Sequence, residues 1–313
     1  MTADPSGAEA IPPGLGLTGF PSGEPVKAGN PLTVEQREIL QETLALLSGR
    51  RLAVLTGAGL STDSGIPDYR GPQSVPRNPM TYQQFVGDEL LRRRYWARNH
   101  VGWHHLRHAD PNPGHRALAA LEARGMLSGL ITQNVDRLHS AAGSVDVIDL
   151  HGTYDRVVCL QCQRRYSRSD IAVLLEGLNP GYLERESDAG DVAPDADADV
   201  DDTGDFVMAP CPNCGGMLKP DFVYFGENVP NDRVADAYQM VDTGDALLVA
   251  GSSLTVMSGL RFVRHAAKAG KPVVIINRGT TRGDELATLL VDLGVSEALT
   301  FLSESLPDLP EPQ

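Results

Sequence analysis

Apolar residues recur along this chain in two patterns, one helical and one of short unbroken runs. Leu40, Leu44 and Leu47 share one helical face; Thr33 and Gln36 stand at capping-box spacing before it, and Gly49 stops it. A second helical stretch runs from Glu89 to His108. Asn112 and Pro113 read as the cap and first turn of a third, with Leu118 and Leu121 inward and Gly125 at its end. The unbroken runs begin at Leu52, Leu130, Val145, Asp245 and Pro272. Each has strand length and ends in small or polar residues, with helical segments between several of them. Continuous apolar strands suit a sheet covered on both faces. Strands alternating with helices suit an open parallel sheet whose ligands sit beyond the strand carboxyl ends. The pattern predicts an α/β fold with a Rossmann-like open parallel sheet.

Two segments fall outside this alternation. Residues 1–32 are rich in Gly, Pro and Ala and read as a flexible tail, with neither an apolar signal core nor an arginine-rich transit pattern. Residues 71–88 form a turn-rich loop containing Pro72, Pro76 and Pro79. The chain has 313 residues, enough for one large domain or two smaller ones. No apolar run reaches about 18 residues, so no membrane span and no membrane partner is expected. A net charge of −14 argues against attraction to nucleic-acid phosphates. Nothing in the sequence sets an oligomeric state.

Cys159 and Cys162 form one Cys-x-x-Cys pair, Cys211 and Cys214 another. Each pair can chelate one ion, and four thiolates close a tetrahedral zinc site, which would be structural because no position stays open. A redox Cys-x-x-Cys would need only one pair. Such usage fits a reducing, cytoplasmic setting better than a disulfide framework. Residues 188–205 hold eight aspartates and no Lys, Arg or Glu. Asp195, Asp197 and Asp199 mimic a calcium loop for three positions, but Val200 and Phe206 stand where Gly and Glu are required. A solvated, disordered insertion is expected. His100, His104 and His108 lie one turn apart on one helical face. That spacing can bind a metal, but with no carboxylate or cysteine to complete the set, a packed or solvated face is expected.

The chemistry centres on the residues after the first apolar run. Gly57 and Gly59 let the backbone approach a ligand closely, and amides leading into a helix N-terminus suit a phosphate. As a dinucleotide fingerprint the stretch is incomplete, because Thr62 occupies the third glycine position. The continuation, Ser64-Gly65-Ile66-Pro67-Asp68-Tyr69-Arg70, resembles the sirtuins, NAD-dependent protein-lysine deacylases, and its ending resembles their class II branch. Further motifs recur in family order: Thr132-Gln133-Asn134-Val135-Asp136, His151-Gly152, the two cysteine pairs, Gly251-Ser252-Ser253 and Asn277. Arg94-Tyr95-Trp96-Ala97-Arg98-Asn99 and Pro111-Asn112-Pro113 also look like class II members. The resemblance covers roughly residues 33–301.

The resemblance implies a catalytic domain over residues 33–305 with a short tail at 306–313. Residues 33–70, 115–157 and 220–305 would form the large Rossmann-like part. Residues 71–114 and 158–219 would form a small helical and zinc-binding domain holding the acidic insertion. It implies NAD as co-substrate and one structural zinc ion. Gly57, Ala58, Gly59, Ser61, Ile66, Asp68, Tyr69 and Arg70 would line the dinucleotide site. Gln133, Asn134 and Asp136 would surround the nicotinamide ribose. Gly251, Ser252, Ser253, Asn277, Arg278, Gly279 and Val295 would hold the phosphates and adenosine ribose. His151, with Asn134, would be catalytic, as general base toward a ribose hydroxyl; an unperturbed imidazole pKa of about 6.5 suits that task. Val223, Phe225, Gly226 and Glu227 lie in the segment that pairs with the substrate, an acylated protein lysine, in extended form. Nicotinamide, free lysine and O-acyl-ADP-ribose are the implied products.

Members that remove succinyl or malonyl groups carry a Tyr-x-x-Arg pair. Here Phe85 follows Tyr82 in that spacing, which points to acetyl or longer neutral acyl groups. Two other readings of the same residues remain at this stage. One is a protein mono-ADP-ribosyltransferase using the same NAD cleavage. The other is a non-enzymatic, NAD-sensing binding protein containing zinc.

Overall fold

The computed structural model describes residues 32–70, 74, 78–186, 192–200 and 202–310. The tail expected at the start lies outside them except for Leu32. The chain runs α1 (Val34–Leu47), β1 (Leu52–Thr56), a 3₁₀ turn (Ala58–Ser64), α2 (Tyr82–Gly87), α3 (Glu89–Leu106), α4 (Pro113–Ala123) and β2 (Leu127–Thr132). There follow α5 (Leu138–Ala141), β3 (Val147–Asp149), β4 (Gly152–Cys159), β5 (Arg165–Ser167), α6 (Arg168–Leu178) and α7 (Tyr182–Arg185). The last elements are β6 (Leu218–Phe222), α8 (Asn231–Thr243), β7 (Ala246–Ala250), α9 (Met257–Lys268), β8 (Val273–Ile276), β9 (Leu289–Val291) and α10 (Val295–Ser305).

Local sequence explains the helix starts. Gln36 N donates to Thr33 Oγ1 at 3.2 Å, and Thr33 N donates to Gln36 Oε1 at 2.9 Å, closing the capping box of α1. Asn112 caps α4 in the same way, with Pro113 at its first turn. Six strands form a parallel sheet in the order β3-β2-β1-β7-β8-β9. Every residue of β1, β2, β7 and β8 is buried, as expected of strands covered on both faces. The period-two alternation sorts them: Leu52 and Val54 pack with α1, α4 and α10, whereas Ala53 and Leu55 pack with α8 and α9.

A second, antiparallel sheet, β5-β4-β6, belongs to a smaller lobe with α2, α3, α6 and α7. Its core joins Phe85, Tyr95, Trp96 and Trp103 to Tyr154, Ile171, Leu218 and Phe222. The domain limits expected at 157/158 and 219/220 fall inside β4 and β6, which pair with each other. The run from Val145 is two strands, not one, divided at Leu150 and His151 where the chain passes from the large sheet to the small one.

Two stretches expected to be loose are packed. Residues 306–310 continue from α10 along the core: Leu306 is buried, and Arg124 donates to Leu306 O at 2.6 Å and pairs with Asp308 at 2.7 Å. Within the acidic insertion, residues 192–200 lie on α3, with Val192, Ala193, Ala196, Ala198 and Val200 buried. Asn99 Nδ2 donates to Asp195 O at 3.2 Å, and Arg98 pairs with Asp197 at 2.7 Å. The count of aspartates hid a period-two strip whose alternate members are apolar. Gly102 makes room for it, because a Cβ there would lie 2.7 Å from the Ala196 carbonyl carbon and closer still to its oxygen.

Candidate active site and metal centre

Strand order reverses between β1 and β7, and the loops leaving their carboxyl ends meet there. Gly57 N donates to Ala250 O at 3.1 Å and Gly59 N to Gly251 O at 2.9 Å. A Cβ on Gly57 would stand 2.8 Å from Gly251 O, and one on Gly59 2.9 Å from the same atom, so these loops touch only because both residues are glycine. The loop continues into a short 3₁₀ turn rather than the α-helix expected of a phosphate-binding fingerprint.

The end of β2 is stitched to this turn. Asn134 Nδ2 donates to Gly57 O at 3.1 Å and to Ser61 Oγ at 3.0 Å. Ser61 Oγ donates to Asp136 Oδ2 at 2.6 Å, and Leu138 N to Asp136 Oδ1 at 2.9 Å. Burial raises the Asp136 pKa, and the Ser61 and Leu138 hydrogen bonds oppose the rise. Ser252 Oγ donates to Gln133 Oε1 at 2.6 Å, tying the β7 loop to the β2 end.

His151 sits at the crossing between the two sheets. Its Nδ1 is 2.9 Å from Gln133 O and its Nε2 is 2.8 Å from Ser258 Oγ. A carbonyl only accepts, so Nδ1 carries the proton; Nε2 is then the acceptor of the Ser258 hydroxyl. Burial pushes the pKa down to about 4, Arg233 and Arg261 push the same way, and the Gln133 bond opposes them. The ordinary histidine pKa expected from sequence is therefore corrected. The imidazole is neutral at pH 7 and presents a lone pair.

These residues line one cavity of about 800 Å³. All the expected dinucleotide, catalytic and substrate residues border it except Gly279, which holds its amide against Asp292 Oδ1 at 3.1 Å. Asp68 takes a hydrogen bond from the Ser74 hydroxyl, and the Tyr69 ring meets Phe225 edge-on at 6.0 Å. Asn277 Nδ2 donates to Arg278 O at 2.9 Å. Val223 N donates to His151 O at 2.7 Å, and Tyr82 N to Phe225 O at 2.9 Å. The Glu227 carboxylate serves the fold, accepting from Lys219 Nζ at 3.1 Å and Tyr224 N at 2.9 Å. Sequence reasoning missed Ser258, Arg261, Pro194 and Asp195, all of which line the cavity. Ser258 lies at the start of α9 with no local motif to mark it, and Asp195 was hidden among its neighbours.

The four cysteines converge from β4 and the loop before β6. Cys159 Sγ is 3.5 Å from Cys214 Sγ, and Cys162 Sγ is 3.8 Å from Cys211 Sγ; all four lie within 4.8 Å of one another. Zinc–sulfur bonds of about 2.3 Å in a tetrahedron place sulfurs about 3.8 Å apart. The four free thiols fit a zinc ion, with Tyr166 Oη 3.1 Å from Cys211 Sγ beside it.

Residues 57–258 match the Sir2 family. The chain belongs to the Sir2 family. Among curated relatives of this sirtuin, NAD-dependent protein deacetylase 1 of Mycobacterium avium (strain 104) is 62% identical over 271 residues, covering 86% of this chain and 96% of that one. NAD-dependent protein deacetylase of Xanthomonas axonopodis pv. citri (strain 306) is 55% identical over 265 residues, covering 83% and 89%. A solved Sir2 complex with a p53 peptide and NAD+ is 32% identical with a TM-score of 0.66, covering 85% of this sirtuin and 97% of that chain. A Sir2 complex with deacetylated p53 peptide and 3′-O-acetyl ADP ribose is 30% identical with a TM-score of 0.68, covering 86% and 99%. Among the described residues no helix is long and apolar enough to cross a membrane.

Proposed function

We propose that the cavity between the β1 and β7 loops and the small lobe holds NAD beside an acylated lysine, with His151 as general base. The chain is an NAD-dependent protein deacylase. The observation that carries the residue assignment is the His151 tautomer: a neutral ring, anchored through Nδ1 on Gln133, with the Nε2 lone pair at the cavity wall. NAD supplies a glycosidic bond whose cleavage releases nicotinamide and leaves an electrophilic ribose carbon. The Gly57 and Gly59 amides are taken by Ala250 O and Gly251 O, so the glycines serve by bringing the β1 and β7 loops together, and the dinucleotide lies along the cavity wall those loops form. Asn134 and Asp136, locked by Ser61, hold the ribose end in place. His151 Nε2 then takes the proton of a ribose hydroxyl, with Ser258 Oγ as its partner before ligand enters.

The substrate enters extended along residues 223–227, beside the bridge between Thr81 and Phe225. A neutral acyl group fits because Phe85 brings no cation: it is buried 5.1 Å behind Tyr224, which lines the cavity. A reducing, cytoplasmic setting fits the four free thiols, and the net charge of −14 weighs against nucleic-acid partners.

His151→Ala tests the reading. It should retain NAD binding in a titration and lose acetyl-lysine peptide deacylation by about 10²–10⁴. Nicotinamide exchange should survive better, because His151 acts after glycosidic cleavage. Deacylation near the wild-type rate would remove His151 from the mechanism. Mass spectrometry should find O-acyl-ADP-ribose; ADP-ribose attached to protein instead would favour the transferase.

A further inference from the structure

The histidine face of α3 lacks a partner in its own helix, and α6 supplies one. Donor atoms of His100, His104 and Glu176 lie within 4.8 Å of one another. His104 Nε2 stands 3.1 Å from Glu176 Oε1, and the His100 and His104 rings meet almost at right angles with centroids 5.1 Å apart. His108, the third member of the face, is exposed and outside the cluster. His100 is fully buried, and neither of its ring nitrogens has a hydrogen-bond partner. A buried polar group left without a partner loses its hydration with nothing in exchange. A ligand bonded to the imidazole removes part of that cost.

We propose that His100, His104 and Glu176 bind a zinc ion, at a site separate from the four cysteines. Two imidazoles one helical turn apart with one carboxylate form a donor set that zinc takes in open sites, at about 2.0–2.2 Å from each donor. Tetrahedral geometry then needs donors about 3.3 Å apart, a spacing that the His104–Glu176 pair nearly has. His100 closes the buried side. Glu176, whose side chain is 44% exposed, is the donor on the solvent side, while His104 Nε2 is buried.

Cationic neighbours select among metals. Arg168 acts on both histidines, and Arg107 on His104. Arg168 is itself held over the Trp96 and Trp103 rings and on Asn99 Oδ1 at 3.3 Å. Such charges oppose a hard cation held by charge alone, as magnesium or calcium would be. They weigh less against an ion bonded to imidazole nitrogen. The ion would pin α3 to α6. Because residues 192–200 rest on α3 and present Pro194 and Asp195 to the cavity, this clamp stiffens one wall of the active site.

The test uses the full chain with its cysteine-held zinc in place, titrated with Zn²⁺ under equilibrium dialysis. Wild type should take a second equivalent and melt at higher temperature when it does. His104→Gln and Glu176→Gln, both at partly exposed positions, should keep the first equivalent and the native circular dichroism. They should lose the second equivalent and the thermal shift. Co²⁺ added to the zinc-loaded protein should give d–d bands without thiolate charge transfer, and these should be absent in both variants. Failure of wild type to take a second equivalent at zinc in large excess would overturn the proposal. So would retention of that equivalent by both variants. Neither outcome bears on NAD chemistry, which the His151 experiment tests separately.

Discussion

Mild acid should unfold this protein steeply, because burial keeps the His100, His104, His115, His139 and His151 rings neutral. His115 and His139 pack at 4.9 Å, and His139 Nε2 meets Thr56 Oγ1 at 2.9 Å. Burial lowers His104, His115 and His151 to about 4, His100 to about 2 and His139 well below 6.5. The folded state therefore binds fewer protons than the unfolded chain. The stability involved is fully present above about pH 6.5 and is lost as pH falls toward 4. Between pH 6.5 and 5.5 each ring contributes a loss of about 1 kcal/mol, or about 5 kcal/mol for the five. Asp195 works the other way. Burial lifts its carboxyl to about 6, which returns about 0.7 kcal/mol over the same interval. The raised Asp136 and Asp149 add to that return. A net loss of about 4 kcal/mol is a large part of a stability of about 5–15 kcal/mol. Urea unfolding followed by circular dichroism at pH 7.5, 6.5 and 5.5 reads it directly. With a slope of about 2–3 kcal/mol per molar, the midpoint should fall by roughly 1.3–2 M across the last interval. Zinc release adds its own pH dependence, so His115→Gln/His139→Gln isolates those two rings and should lose about two-fifths of the histidine share. A wild-type midpoint that is level or rising from pH 6.5 to 5.5 would refute the reasoning.

Three further outcomes follow from particular contacts. Cys211→Ser should release the zinc and destabilise the small lobe, since metal binding there is coupled to folding; an unchanged melting curve in verified metal-free protein would contradict it. Gly102→Ala should cost about 1–3 kcal/mol and expose residues 192–200 to limited proteolysis, because its Cβ collides with the Ala196 carbonyl; wild-type stability and protection would show that the segment is not seated there. Ser258→Ala removes one hydrogen bond to His151 Nε2, worth about 1 kcal/mol, so deacylation should change by less than about tenfold. A loss as large as that of His151→Ala would make the hydroxyl part of the chemistry.

Features written in contiguous residues were legible without coordinates. The Thr33–Gln36 box, the buried run of β1 and the glycines after it depend on local backbone and side-chain periodicity, and the structure keeps them. Four cysteines in two tight pairs declare their chemistry by type and spacing, so their convergence needed no further information. What the tertiary structure decided depends on elements distant in sequence. The proton affinity of His151 is set by burial and by Arg233 and Arg261, none of it visible beside Leu150 and Gly152. Ser258 reaches that ring across 107 positions, and Glu176 completes a histidine pair that lies on another helix. Residues 192–200 carry the same lesson. Eight aspartates in the insertion read as a solvated run until α3, with Gly102 in its face, offers the apolar alternates a surface to cover. Composition describes what a segment could do alone, and packing against a partner surface determines what it does.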